Sequence, residues 1–519
     1  MNLQSLTSIQ PGNAVTPERV VAAPNAAAPN GTTTSSPSAI VSLAGSTHAS
    51  TDAAATYTLP RPSLTWSAAP VDAISSVMGQ NLVADSAPGS FRGLGAALLA
   101  RVATDGTDFS QSVQSTAAVA TSSSSDVGLT IVTAGGHTLT LALHAGDGGL
   151  GVKLTGAGGL SDAERAALGK LATDFQAALE GMTSAQPRID LGGLATLDGK
   201  LFSSVSLTAR TTVPGGATQS VSFLADAQTR SIKLDGPSGK IEVTADLSHP
   251  EAWGSQAQRD DAVKQYLGQF DKAASRGHGD PATMALFKDA FSQVNMGYGG
   301  TPAGTVSTRS GWLSQGDHAL LSGLADFSAS LTQPSVASNP LRADEHDAFA
   351  YQVSQSTQVG GNDPLNRSIR QETNSSLHAS FHSALSPDAT LNLTMLPSSQ
   401  NYLYTRIDDS AQSDVGIRYR KGQLVEADVR RSAQQSTQTS RYVMGKLVDE
   451  TSLPAQQNQQ RDLLGLLAPL DTKRGLTARE QAGRDATLSA LHGTFGLESD
   501  PVLLKATWAP ALIKSHDLV

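Results

Sequence analysis

Apolar residues recur at every second position in two stretches of the chain, and at every third to fourth position in the stretch between them. The first alternating stretch becomes legible at Gly128. Leu129–Thr133 and Thr138–Leu143 are short, apolar and β-branched, and the Gly-containing link Ala134–His137 predicts a hairpin. Leu150–Thr155 predicts a third strand. Ser161 and Glu164 then stand at capping-box spacing, and Leu160, Ala163, Ala167, Leu168, Leu171, Phe175 and Leu179 carry one helical face to about Glu180. Beyond Pro187, Leu201–Thr212, Gln219–Ala225, Ser231–Leu234 and Lys240–Leu247 read as strands. Their links, Pro214-Gly215-Gly216 and Asp235-Gly236-Pro237 among them, are too short for crossovers, so the pairing is expected to be antiparallel. Residues 91–248 thus read as a β-rich unit around a central helix at 161–180. Before it, Gly95–Val102 predicts a short helix, and polar Ser110–Asp126 predicts a loop.

The period changes to 3.6 over residues 249–335. Ala257–Arg276, Pro281–Asn295 and Gly316–Leu331 are the expected helices, with Tyr266, Leu267 and Phe270 on one buried stripe and Leu286, Phe287 and Phe291 on another. Pro281 sits where a first-turn proline is tolerated. Gly297–Ser310 reads as a linker. Period two returns over residues 345–447, beginning with Phe349, Tyr351 and Val353 and turning at Gly360–Pro364. Ser368–Phe381, Leu391–Leu396, Asn401–Ile407, Val415–Arg420, Gln423–Arg430 and Thr437–Val443 follow as strands, with Lys421-Gly422 a tight turn. Alternate positions rich in Ser, Gln, Thr and Arg predict a sheet with one solvated face. Residues 455–519 read as helical, over Arg461–Leu467, Thr477–Leu491 (Thr477 and Glu480 again at capping-box spacing) and Pro501–Lys505. The expected class is α+β: a disordered N-terminus, two mostly antiparallel β units separated by a helical segment, and a helical C-terminus. Whether the β units share one sheet stays open.

Composition accounts for the N-terminal segment, residues 1–90. Glu18, Arg19 and Asp52 are the only acidic or basic residues in the first sixty, and Ser, Thr, Ala, Pro and Asn fill most of the rest. Such a segment buries too little apolar surface to offset the entropy of ordering, so disorder is expected. An uncharged, Ser/Thr/Pro-rich N-terminus resembles those of bacterial type III secretion substrates, and the resemblance implies export without a cleaved signal. Met1–Gln10 carries neither a basic region nor an apolar run of the secretory kind. Across 519 residues, 37 basic and 46 acidic side chains leave a net charge of −9, which argues against a nucleic-acid binder. The absence of cysteine excludes disulfides, iron–sulfur clusters and thiol nucleophiles. No apolar run is long enough for membrane insertion by a helix.

Few motifs carry chemistry. Gly146–Gly151 matches GxGxxG by letter, but a strand follows it, so it reads as a hairpin turn. Gly156–Ser161 does precede a helix, and the capping role of Ser161 explains its last position. His378 and His382, four apart, are a candidate metal pair with His346 or Asp347 as a further ligand, although Ala379 stands where the HExxH base would be. Asp344–Asp347 and Asp408-Asp409 are the densest acidic clusters. Arg418, Arg420, Lys421 and Arg430, interleaved with Tyr404 and Tyr419, form a candidate partner-binding patch, since basic residues among aromatics suit a phosphate or an acidic partner. No catalytic residue and no cofactor is expected. The reading is a non-catalytic, bacterial, exported interaction protein with an unidentified protein partner. Its alternatives are a cytoplasmic metal-dependent hydrolase and a cytoplasmic scaffold.

Overall fold

The computed structural model describes residues 63–506, apart from 84–88, 116–123, 185–187, 197, 213–215, 299–310 and 472–475. Among the described residues, fifteen strands form one antiparallel sheet. Its N-terminal part comprises β1 (Leu64–Trp66), β2 (Phe109–Ser115), β3 (Ser125–Thr133), β4 (Thr138–Gly146), β5 (Gly149–Thr155), β6 (Phe202–Thr212), β7 (Thr218–Asp226), β8 (Thr229–Gly236), β9 (Gly239–Asp246) and β10 (Asp326–Thr332). The C-terminal part comprises β11 (Ala348–Gly360), β12 (Ser368–Ala384), β13 (Tyr402–Arg420), β14 (Gln423–Val443) and β15 (Lys446–Asp462). From β6 onward the strands lie side by side in chain order. Ahead of that the order is β1-β2-β5-β4-β3, because β3 turns away from β2 to pair with β6.

The alternating pattern gives the sheet an inner and an outer face. Val127, Leu129 and Ile131 of β3 and Leu139, Leu141 and Leu143 of β4 are buried on the inner face, where successive strands align them. Helices α1 (Ala73–Val83), α2 (Leu94–Asp105), α3 (Asp162–Lys170) and α4 (Ala172–Thr183) contribute to the same core through Met78, Leu98, Leu168 and Phe175. The next layer is α5 (Gln256–Gly277) and α6 (Pro281–Asn295), whose Phe270, Phe287 and Phe291 interlock at centroid distances of 4.8 and 5.1 Å. A second core gathers α7 (Gln315–Leu320), α8 (Leu464–Asp471) and α9 (Ala478–Leu491) against Ile369, Val415, Ile417 and Val429. The short α10 (Pro501–Ala506) lies against β14 and β15.

The expected start signals act as read. Ser161 accepts from the Glu164 amide while the Glu164 carboxylate accepts from the Ser161 amide, and Thr477 and Glu480 do the same. Asp280 caps α6 with Pro281 at its first position. Lys421 and Gly422 turn β13 into β14 with φ of 52° and 78°, the left-handed pair a two-residue hairpin requires.

The class is α+β as expected, and the two alternating stretches join edge to edge. β10 pairs with β9 on one side and β11 on the other, so the helical segment between them packs on the sheet rather than parting it. That pairing explains the fate of Gly316–Leu331, expected as one helix. Only Gln315–Leu320 is helical; the chain turns at Gly323 (φ 77°) and Phe327, Ala329 and Leu331 alternate inward with serines between them. Ser110–Asp126, expected as a loop, contributes β2 and the start of β3, its serines and glutamines occupying a half-solvated strand. The expected helix at 161–180 breaks at Leu171 into α3 and α4. Leu391–Leu396 is not a strand. The expected pairs Asn401–Ile407 with Val415–Arg420, and Gln423–Arg430 with Thr437–Val443, are each one continuous strand. Residues 455–462, expected to be helical, complete β15. Of the segment 1–90 expected to be disordered, residues 1–62 and 84–88 lie outside the described residues, whereas 64–66 and 73–83 form β1 and α1. The expected linker Gly297–Ser310 lies outside them from residue 299 onward.

Candidate partner-binding surface

β12 places His378 and His382 on the outer face, as a spacing of four in a strand requires, but about 13 Å apart along it. His378 is exposed and meets Asp408 of the neighbouring strand, Nδ1 to Oδ1 at 3.3 Å. His382 is 1% exposed, with Nδ1 2.7 Å from Asp347 and Nε2 3.1 Å from Glu345. The two imidazoles therefore share no ion, and no group of three side chains suited to a metal occurs among the described residues. Asp408 and Asp409 point to opposite faces, as adjacent strand residues must.

The candidate basic patch is divided by the same geometry. Arg418 and Arg420 are on the outer face, with Arg418 bound to its cross-strand partner Glu426. Arg430 pairs with Asp428 at 3.2 Å, and the neighbouring Arg370 pairs with Asp414 at 2.8 Å. Partial burial pushes the Asp428 carboxyl up, against the opposing pull of Arg430. Lys421 occupies the turn and its amide donates to Asn366. Tyr419 points inward instead, donating to Asp317 at 3.0 Å beneath the Arg367 guanidinium, which is 3.5 Å from its ring. Tyr404 is on the outer face but roughly 45 Å along the strand from Arg418. The arginines thus belong to a mixed-charge ladder, and the two tyrosines to separate buried contacts.

The other end of the outer face is covered. Residues 333–347 cross it as a strap, closed on itself by a bridge between Val336 and Asp347. Beneath it, Tyr402, Tyr404 and Tyr442 form a small separate core with Leu391 and Leu393. Both ring nitrogens of His382 face carboxylate oxygens, so the ring bridges Asp347 and Glu345. The His382 amide adds a further donor to this pair of acids, 2.8 Å from Asp347. Tyr402 donates to Glu345 at 2.7 Å; burial first, and the Glu345 contact next, push its hydroxyl up and keep it a donor. Tyr404 donates to the His346 carbonyl at 3.1 Å, and Arg342 lies 4.3 Å over the Tyr442 ring. These contacts clamp the strap to the sheet.

Gln400 extends the clamp to the β14–β15 turn. Its side chain accepts from Asn339 of the strap at 2.9 Å, and its carbonyl accepts from Gly445 at 2.9 Å. Arg342 also reaches the Gly445 carbonyl, at 3.3 Å. Strap, loop and turn together present Leu341, Met395, Leu396, Met444, Leu447 and Val448, each between 44% and 65% exposed. Beside them runs β15, which hydrogen-bonds to β14 on one side and, among the described residues, is the last strand of the sheet. Its residues 446–456 are exposed throughout.

This surface was only partly visible in the sequence. Asp344–Asp347 stood out as an acidic cluster and His382 as a metal candidate; their encounter needs the strap to fold over β12. β15 was hidden because its period-two signal is erased when both faces are wet. Searches of family models, curated proteins and solved structures found no match to this chain, so its reading rests on the surface itself.

Proposed function

We propose that this is a non-catalytic interaction protein that holds an extended segment of a partner protein along the outer edge of β15. One observation carries the reading: a 17-residue edge strand, exposed on both faces over most of its length, beside a cluster of exposed apolar side chains. An unpaired edge offers a row of backbone donors and acceptors to a further strand. Edges are commonly guarded by charge and proline, and β15 has Lys446, Asp449, Glu450 and Pro454. It also leaves Leu447, Val448 and Leu453 more than half exposed, which a purely guarded edge has no reason to do. Pro454 lacks an amide donor, so the usable edge runs from Lys446 to Leu453. The adjacent Asp449 and Glu450 favour a partner strand in which basic residues alternate with apolar ones. The N-terminal sixty residues, with only three charged side chains, support export as the route to that partner.

The test is site-specific crosslinking in the native host. A photoreactive residue at Val448 should capture a defined partner, whereas one at Gln358, exposed on the outer face of β11, should not. Leu447→Asp with Leu453→Asp should abolish the capture. No adduct at Val448, or equal adducts at both positions, would rule out edge binding. Fractionation with and without residues 1–60 separately tests export.

A further inference from the structure

The inner face holds a different feature, independent of the β15 edge. Between the C-terminal half of α5, strands β11–β14 and α10 lies an open cleft of about 710 Å³, within the range that accommodates small ligands. Tyr351, Leu377, Phe381, Ile407 and Leu503 supply apolar wall, and Leu503 is itself 41% exposed. Arg276 of α5 reaches into this lining. Its Nε and Nη2 grip the two carboxylate oxygens of buried Asp409, and Nη2 also donates to Thr437 at 3.0 Å. The Ser436 amide adds a further donor to Asp409, at 3.1 Å.

We infer that this cleft binds an amphipathic monocarboxylate, its apolar body against Leu377, Phe381 and Ile407 and its carboxylate on Arg276. The charge inventory of the wall points that way. Lys272 is committed to Glu498 at 2.9 Å, Asp271 to Lys288 at 2.7 Å, and Asp500 accepts from the Val502 amide of α10 at 2.7 Å. Both oxygens of Asp409 are occupied by Arg276. Arg276 remains 29% exposed on its side chain, and its Nη1 makes no hydrogen bond among the described residues. A single guanidinium nitrogen next to a carboxylate suits one oxygen of a singly charged group. A phosphate dianion would bring twice that charge beside Asp409 and would find too few donors.

The experiment uses the full chain and displacement of a dansyl-labelled fatty acid by decanoate, decanol and decyl phosphate. Decanoate should compete at one site per chain, about tenfold or more tightly than decanol, as one charge-assisted hydrogen bond allows. Ser275→Trp, at an exposed α5 position on the cleft wall, should block binding while circular dichroism and melting stay unchanged. The paired change Arg276→Met with Asp409→Leu leaves no unpaired charge and should remove the preference for decanoate over decanol. The inference fails if the probe shows no saturable binding, if decanol or decyl phosphate equals decanoate, or if Ser275→Trp binds like the parent.

Discussion

The two parts of the sheet solve the same packing problem differently. Strands β2–β10 have 7 to 11 residues, and β11–β15 have 13 to 21. On the short strands the inner face is nearly all apolar, with Leu129, Leu141, Leu207 and Phe223 at or near zero exposure. Helices α1–α4 and α6 pack against it. A 21-residue strand spans roughly 70 Å, whereas the 22 residues of α5 reach only about 33 Å. Covering the long strands therefore takes α5 in the middle, α7–α9 at one end and the strap on the opposite face. The junctions between these covers are polar. Gln371 accepts from the Ser322 amide at 2.8 Å and donates to Thr357 at 2.9 Å, while Gln355 accepts from Tyr266 at 3.2 Å and donates to the Leu324 carbonyl at 3.2 Å. Where strands outrun the helices that cover them, buried hydrogen-bond networks, an open cleft and an exposed edge result. Both binding surfaces argued above lie in this longer part.

The contrast can be broken most forcefully at Arg367. Its buried pair with Asp317, at 2.7 Å, fastens α7 to the sheet, and Arg367→Ala should cost about 3–5 kcal/mol in a denaturant melt. Arg367→Met combined with Asp317→Leu should recover most of that loss. In the N-terminal part the matching lesion is apolar: Leu141→Ala should cost about 2–5 kcal/mol and have no polar rescue. A polar double variant that fails to recover, or an Arg367→Ala protein that melts like the parent, would erase the distinction. At the next level, His382→Ala leaves Glu345 and Asp347 without their shared donor. A loss of about 1.5–3 kcal/mol is expected, read as faster amide exchange and proteolysis confined to residues 333–347. Exchange spread evenly over the sheet would show that the histidine supports the whole fold rather than the strap.

Smaller effects sharpen the comparison. Asp280→Ala removes the cap of α6 and should cost about 1 kcal/mol at neutral pH. Thr283, through its hydroxyl and amide, holds the Asp280 carboxyl below its usual 3.8, so the folded state favours the charged form. That contribution is present above pH 3.8 and is lost as the pH falls through the lower folded-state value, so the gap between variant and parent should narrow in acid. A gap independent of pH would place the effect elsewhere. Arg418→Ala should shift stability by at most about 0.5–1 kcal/mol and respond to salt, because its pair with Glu426 is solvent-exposed. A loss as large as that at Arg367 would mean the outer ladder is structural.

Local signals in the sequence were sufficient for elements whose two faces differ. β3 and β4, α6 with its proline start, the Ser161 and Thr477 caps and the Lys421-Gly422 turn all follow from period, capping chemistry and backbone preference within a few residues. Pairing across distance was not legible. β10 passed for the end of a helix because seven residues of mixed apolar and serine content suit either form until β9 and β11 stand on both sides of them. β15 was masked because a strand wet on both faces carries no alternation.

The same division holds for the candidate sites. Sequence alone determined that His378 and His382 share a face and that Arg418 and Arg420 do as well, since parity along a strand settles it. Only the tertiary structure decided that His382 is clamped by two acids of the strap, that Arg276 meets Asp409 across 133 positions, and that β15 remains the outermost strand. Parity is a property of the neighbouring backbone, whereas burial and partnership depend on which distant segment folds over a given face.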